Sequence, residues 1–111
     1  RAAMTVSLQT DDGLKILSVN DILWIETVDH AVICHTKTDS FVVKSSLQNA
    51  EKLLQKHGFA RCNKCYLVNL EHVNGVNENC ADVDGDQIQV SRPKKKAFLD
   101  ALNNYINEVG K

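Results

Sequence analysis

Cys62 and Cys65 form a C-x-x-C pair, a spacing that occurs in structural zinc sites and in dithiol redox centres. A zinc site needs four ligands, and the other candidates, which would have to converge from separate strands, are Cys34, Cys80, His35 and His72. A redox dithiol normally precedes a helix, whereas the strand-like segment YLVNL follows this pair. Residues three apart on a strand also point to opposite faces, so the two sulfurs are expected to diverge. The pattern favours two small residues at the start of a strand over metal or dithiol chemistry.

A second cluster, of positive charge, lies in SRPKKKAF (residues 91–98) at the start of the last predicted helix. Ser91 is suited to cap that helix, and the cations of its first turns are Arg92, Lys94, Lys95 and Lys96. For an isolated helix this arrangement is unfavourable, because the positive end of the helix dipole repels cations. Exposed N–H groups, the dipole and the cations together favour a bound phosphate, and a solvated charged turn is the alternative.

Other residue patterns give no sign of catalysis. The chain has no P-loop, no G-x-S-x-G and no H-E-x-x-H. Asp82, Asp84 and Asp86 alternate as in a calcium loop, but the glycine placement and closing Glu of an EF-hand are missing, so a solvated hairpin is expected. The four histidines fall in different predicted elements. The sequence therefore predicts no enzyme, no metal site and no cofactor.

Length, composition and net charge limit the number of domains and the kinds of partner. The 111 residues fit one domain over residues 1–111, and 43% hydrophobic residues suffice for its core. Neither a signal peptide nor an apolar run of membrane-spanning length is present, so no membrane partner is expected. Nothing marks the cysteines as a secreted disulfide framework, which favours the cytoplasm. The net charge of −1 means that any nucleic-acid surface must be local.

The secondary structure that must position these residues is predicted to be mostly β-strand. Segments rich in β-branched and aromatic residues, separated by turn residues, predict strands at 14–19, 22–27, 31–36, 40–45, 65–70, 72–76, 80–83 and 87–91. A helical period between them predicts one short helix, with Ser45 and Gln48 as capping box and Gly58 at its end. A second helix follows Ser91, with an apolar face of Phe98, Leu99, Leu102, Tyr105, Ile106 and Val109. The fold class is mainly β, with antiparallel strands, one short middle helix and a C-terminal helix.

Two longer stretches, GFARCNKCYLVNLEHVNGV (58–76) and DGDQIQVSRPKKKAFLDALNNYI (84–106), together resemble the LytTR family, the DNA-binding output domains of many bacterial response regulators. The family's first phrase is filled here by Phe59, Arg61, Tyr66, Val68 and Asn69. Its closing (V/S)-R-x-x-x-K motif is filled by Ser91, Arg92, Lys95 and Lys96, and its upstream strand by Trp24, Ile25 and Glu26. The likeness runs from about residue 5 to residue 107.

The resemblance implies small stacked antiparallel sheets whose loops, not a recognition helix, enter the major grooves of double-stranded promoter DNA. The base contacts that it implies are His30, Lys64 and Arg92. The implied phosphate contacts are Arg61, Asn63, Cys65, Lys94, Lys95 and Lys96. It also implies a receiver domain before Arg1, whose phosphorylation promotes pairing, so that a second copy of the protein occupies the other repeat of a tandem site.

An alternative function uses the same fold as a thiol-based sensor or a protein-docking module. Cys62 is flanked by Arg61 and Lys64, with Arg92 as a third candidate neighbour, and cations close to a thiol lower its pKa and favour oxidation. Cys62 is therefore a candidate redox-sensitive residue, and its oxidation at a DNA-binding surface would block binding.

Overall fold

Strands make up most of the secondary structure of the molecule, and buried and exposed residues alternate along several of them. The computed structural model describes residues 4–109, and its strands are β1 (Thr5–Thr10), β2 (Gly13–Ser18), β3 (Ile22–Val28), β4 (Ala31–Thr36), β5 (Ser40–Val43), β6 (Phe59–Asn63), β7 (Tyr66–Asn69), β8 (Val73–Val76), β9 (Cys80–Val83) and β10 (Asp86–Gln89). Two α-helices, α1 (Leu47–Leu54) and α2 (Arg92–Val109), complete it. No helix in this range is both long and apolar enough to cross a membrane.

The strands form two antiparallel sheets. The larger has seven strands in the order β2-β1-β5-β4-β3-β7-β6, and the smaller has three in the order β10-β9-β8. One hydrophobic core joins the large sheet to α1 through buried side chains such as Ile25, Val43 and Leu54. The predicted fold class, mainly antiparallel β with a short middle helix and a C-terminal helix, is confirmed.

A second core lies between β3, β6 and β7, the small sheet, and α2. Its central side chain is Phe98 on α2, which is fully buried together with Val68 and Val83. Truncating a phenylalanine buried in this way costs about 3–5 kcal/mol of stability. This core fixes α2, and with it the start of the helix, against the edge strand β6.

Several elements differ from the sequence prediction. β1 and β6 were not expected, although TVSLQT alternates exposed and buried residues as a half-buried strand should. The cap of α1 is Ser46, whose side chain accepts a hydrogen bond from Asn49 N–H, so the expected Ser45 cap is wrong. Ile106 is 53% exposed and does not belong to the buried face of α2, and the Val109 side chain is outside the described part of the chain. Gly58 ends the helical segment with φ +86, as expected.

Candidate nucleic-acid interface

Three separate segments meet at one end of the large sheet. The N–H of Thr27, near the end of β3, donates to the carbonyl of Cys65 at 3.0 Å. The N–H of Ser91 donates to the carbonyl of Cys62 at 2.9 Å. These two backbone bonds bring together the β3–β4 turn (residues 29–30), the β6–β7 turn (residues 63–65) and the start of α2 (residues 91–92), which we call the loop edge. All three segments expected from the sequence to contact DNA therefore lie on one side of the molecule.

The β3–β4 turn is as short as a hairpin allows. Val28 pairs with Ala31, so Asp29 and His30 alone form the turn. Their φ angles are +49 and +68, and positive values at both central residues are the mark of a type I′ turn. Both side chains are exposed. His30 therefore stands at the tip of a rigid hairpin, beside one carboxylate.

The β6–β7 turn carries the C-x-x-C pair. Cys62 lies near the end of β6 with its side chain buried in the second core, whereas Cys65 lies in the turn and is half-buried. The pair therefore spans a hairpin and does not start a strand as the sequence suggested. The Asn63 Oδ1 atom accepts a hydrogen bond from Cys65 N–H at 3.1 Å and shapes the turn. Lys64 lies at its tip and is exposed.

The Arg61 side chain, on β6, contacts the backbone of this turn. Its Nη1 donates to the Lys64 carbonyl at 2.8 Å, and its Nε lies 3.1 Å from Oε1 of Glu51 on α1. The Arg61 side chain is only 18% exposed. The part of its guanidinium that faces the hairpin is therefore bonded within the protein.

The cations at the start of α2 differ in their partners. Lys95 Nζ donates to the Glu78 carbonyl at 2.8 Å, and Lys96 Nζ lies 2.9 Å from Oδ2 of Asp100. Arg92 and Lys94 are exposed, and neither forms an ion pair within residues 4–109. The backbone carbonyl of Ser91 accepts from Lys94 N–H at 3.2 Å, which closes the first turn.

Charge is distributed unevenly over the small sheet. Cys80 pairs with Gln89 next to the loop edge, whereas Val83 and Asp86 pair at the opposite end of β9 and β10. The acidic turn with Asp84 and Asp86 therefore points away from Arg92. Lys64 and Arg92 thus lie at the loop edge with one acidic residue, Asp29, and Lys94, Lys95 and Lys96 follow next to it on α2, although the net charge of the chain is −1.

Cys62 does not have the properties of a redox sensor. Its side chain is fully buried in the second core, and its thiol donates to the Gln89 carbonyl at 3.4 Å. Burial raises the pKa of Cys62 from 9.0 to about 12, so the lowered pKa expected from its cationic neighbours is wrong. All four cysteines are free thiols, and no cluster suited to a metal ion occurs in the described part of the chain.

Asn69 has a role that sequence reasoning did not assign. It is 1% exposed, and its Nδ2 donates to the carbonyls of Val19 and Ile22 at 3.2 and 2.8 Å. Its Oδ1 accepts from Glu71 N–H at 3.1 Å. These bonds tie the end of β7 to the start of β3, and so hold the two strands that carry the loop edge. The signal was an asparagine at the end of an apolar strand, where a solvent-facing residue is the ordinary expectation.

Comparisons with known proteins agree with this architecture. The LytTR family model, described as a LytTr DNA-binding domain, matches residues 12–103. The sensory transduction protein LytT of Bacillus cereus is 23% identical over 103 residues, which are 87% of this chain and 42% of that protein. The transcriptional regulatory protein YpdB of Escherichia coli is 24% identical over 107 residues, 89% of this chain and 43% of that protein. This chain therefore spans less than half the length of these two curated relatives.

A solved structure has the same fold. A LytTr DNA-binding domain from Bacillus cereus superposes with a TM-score of 0.78 at 24% sequence identity. The match covers 91% of this chain and 98% of that chain.

Proposed function

Because the chain belongs to the LytTr family of DNA-binding domains, we propose that it binds double-stranded promoter DNA sequence-specifically, as the output domain of a bacterial transcription regulator in a two-component system. Membership confirms the resemblance found in its motifs. The domain acts by binding and not by catalysis, and it works in the cytoplasm.

The convergence of three loop segments at the loop edge is the observation that carries this proposal. Side chains on short turns project further than those on a sheet face, so they reach base edges in the major groove while the sheets stay outside. His30 and Lys64 are exposed on such turns, and Arg92 is exposed at the first residue of α2. We assign these three to base contacts, and Arg92 is best suited to the O6 and N7 acceptors of guanine, because its planar fork donates two parallel hydrogen bonds.

The neighbouring polar groups set the register along the DNA backbone. We assign phosphate contacts to the remaining polar positions of the β6–β7 hairpin and of the helix start, namely Arg61, Asn63, Cys65, Lys94, Lys95 and Lys96. The first turn of α2 adds the positive end of its dipole to the lysine charges. Affinity then falls by roughly 0.9 log units per log unit of salt for each phosphate neutralised.

In the full-length protein, a receiver domain precedes this chain, and two copies occupy tandem repeats of the site. The support for a further domain is the length of the relatives, of which the chain covers 42% and 43%. Phosphorylation of the receiver would pair two chains, and linking two binding domains raises the overall affinity without any change within either domain.

The test is the selection of bound sequences from a random DNA library by the purified domain at two salt concentrations. We expect an enriched motif, one position of which loses its base preference in Arg92→Ala at a cost of about 1–3 kcal/mol on the cognate site. Arg92→Lys is the matched variant, since it keeps the charge and removes the fork. An equal loss of affinity on all sequences would contradict the base contact of Arg92.

If the wild-type domain enriches no sequence, DNA recognition itself is refuted and a protein-docking module becomes the better interpretation. The thiol-sensing alternative has less support than either, because Cys62 is fully buried and its pKa is raised to about 12.

A further inference from the structure

We propose that Glu51, on α1, is a positioning residue for DNA reading: through Arg61 it holds the backbone of the hairpin that presents Lys64. The inference rests on the proposed function and extends it, because α1 lies outside the three segments of the loop edge. It also gives Arg61 a function besides the phosphate contact assigned above.

Arg61 lies between the helix and the hairpin. Its Nε is 3.1 Å from Oε1 of Glu51, and its Nη1 donates to the Lys64 carbonyl at 2.8 Å. The contact with Glu51 is an ion pair without the angles of a hydrogen bond, so Glu51 holds the guanidinium near α1 through its charge. Because the guanidinium is planar and rigid, its position there also places Nη1 against the Lys64 carbonyl. The side chains of Arg61 and Glu51 are 18% and 33% exposed, so water and salt screen this ion pair less than one on the open surface.

The hairpin needs such support because it is irregular at this point. The pairing between β6 and β7 shifts register between Arg61 and Asn63, so β6 carries a bulge there. Bulges bend a strand and redirect its side chains. The bond from Cys65 N–H to the Asn63 side chain shapes the turn, and the Cys65 carbonyl accepts from Thr27 N–H of β3, but neither bond involves the Lys64 carbonyl. The Arg61–Glu51 pair connects the turn to α1, whose buried face is anchored in the first core.

The negative charge of Glu51 allows positioning to be distinguished from a simple electrostatic effect on DNA binding. A carboxylate repels DNA phosphates, so electrostatics alone predicts that removing it strengthens binding to every sequence. Positioning predicts a different result, since a freed Arg61 would no longer hold Lys64, and the preference of the cognate sequence over other sequences would fall. A loss of selectivity in Glu51→Gln therefore cannot come from the lost charge.

The experiment measures the affinity of the domain for its selected site and for a scrambled duplex, and compares their ratio among variants. The variants are Glu51→Gln, Arg61→Gln and the double variant. Glu108→Gln is the matched control, because exposed Glu108 lines the same groove between α1 and α2 and loses the same charge. Thermal unfolding of each variant separates effects on stability from effects on selectivity.

We expect Glu51→Gln to lower the affinity ratio about tenfold at an unchanged melting temperature, with the loss confined to the base pair read by Lys64. Glu108→Gln should keep the wild-type ratio, and the double variant should be no worse than Arg61→Gln alone. A wild-type ratio in Glu51→Gln, or a loss of equal size on both duplexes, would overturn the inference. Additive losses in the double variant would also overturn it, because they would make Arg61 an independent phosphate contact. If the wild-type domain itself shows no selectivity, the proposed function fails, and the inference fails with it.

Discussion

At the scale of single residues, the three lysines of the α2 start, next to the loop edge, differ in their partners within the protein. Lys96 pairs with Asp100, and Lys95 donates to a backbone carbonyl, whereas Lys94 is exposed without an ion pair in the described chain. An internal partner must be given up or shared when a phosphate binds, which reduces the net gain from that contact. Lys94 is therefore the lysine of this helix start whose charge is most available to DNA.

We expect Lys94→Ala to weaken binding on cognate and scrambled DNA alike, and to reduce the salt slope by about one unit, because one phosphate loses its counter-charge. The measurement is the dissociation constant at a series of salt concentrations. Lys37→Ala is the control, since Lys37 follows β4 at the end of the sheet opposite the loop edge and should leave the slope unchanged. A wild-type slope in Lys94→Ala would remove Lys94 from the phosphate contacts.

At the scale of elements, the β3–β4 hairpin allows fold and function to be separated. His30 has φ +68, a left-handed conformation that costs a residue with a Cβ more than it costs glycine. His30→Gly should therefore keep or slightly raise the melting temperature, while the base preference at one position of the selected motif is lost. Sequence selection and thermal unfolding of the same variant test both parts. A variant that keeps the full motif would show that His30 does not read a base.

Most elements could be predicted from local pattern, and the exceptions have physical causes. β6 was missed because Phe59 directly follows a helix end, and the polar residues Arg61 and Asn63 obscure its alternation. The α1 cap was assigned one residue early because Ser45 and Ser46 are equally good caps, and only tertiary packing chooses between them. The exposure of Ile106 shows the same limit, since a helical period cannot tell how far along α2 the second core extends.

The candidate site was predictable as three segments but not as one surface. Charge and turn residues marked the segments, and the family resemblance indicated their shared use. Their meeting depends on backbone bonds between residues far apart in the chain, such as Thr27 to Cys65 and Ser91 to Cys62. The Arg61–Glu51 pair likewise joins a helix to a strand. No local pattern encodes such contacts, so Glu51 could not be found from the sequence.

At the scale of the whole molecule, two hydrophobic cores lie on opposite sides of the large sheet, and both stabilise the elements that carry the loop edge. Each contains one fully buried thiol, Cys34 in the first and Cys62 in the second. Both keep their protons in the folded state, because burial raises the pKa of each from 9.0 to about 12. The ionisation of each thiol therefore shows whether the core around it excludes water.

This burial makes stability depend on alkaline pH. An unfolded chain releases the two thiol protons near pH 9.0, whereas the folded chain holds them until about pH 12, so the unfolded state binds fewer protons in that window. The free energy of unfolding should then fall as pH rises, by about 1.4 kcal/mol per pH unit for each thiol. Urea denaturation across the window measures it. Cys62→Ala should flatten the dependence by one such slope, and Cys34→Ala combined with it by two. If Cys62→Ala keeps the wild-type slope, Cys62 ionises in the folded protein as readily as in the unfolded chain, and the second core is open to water.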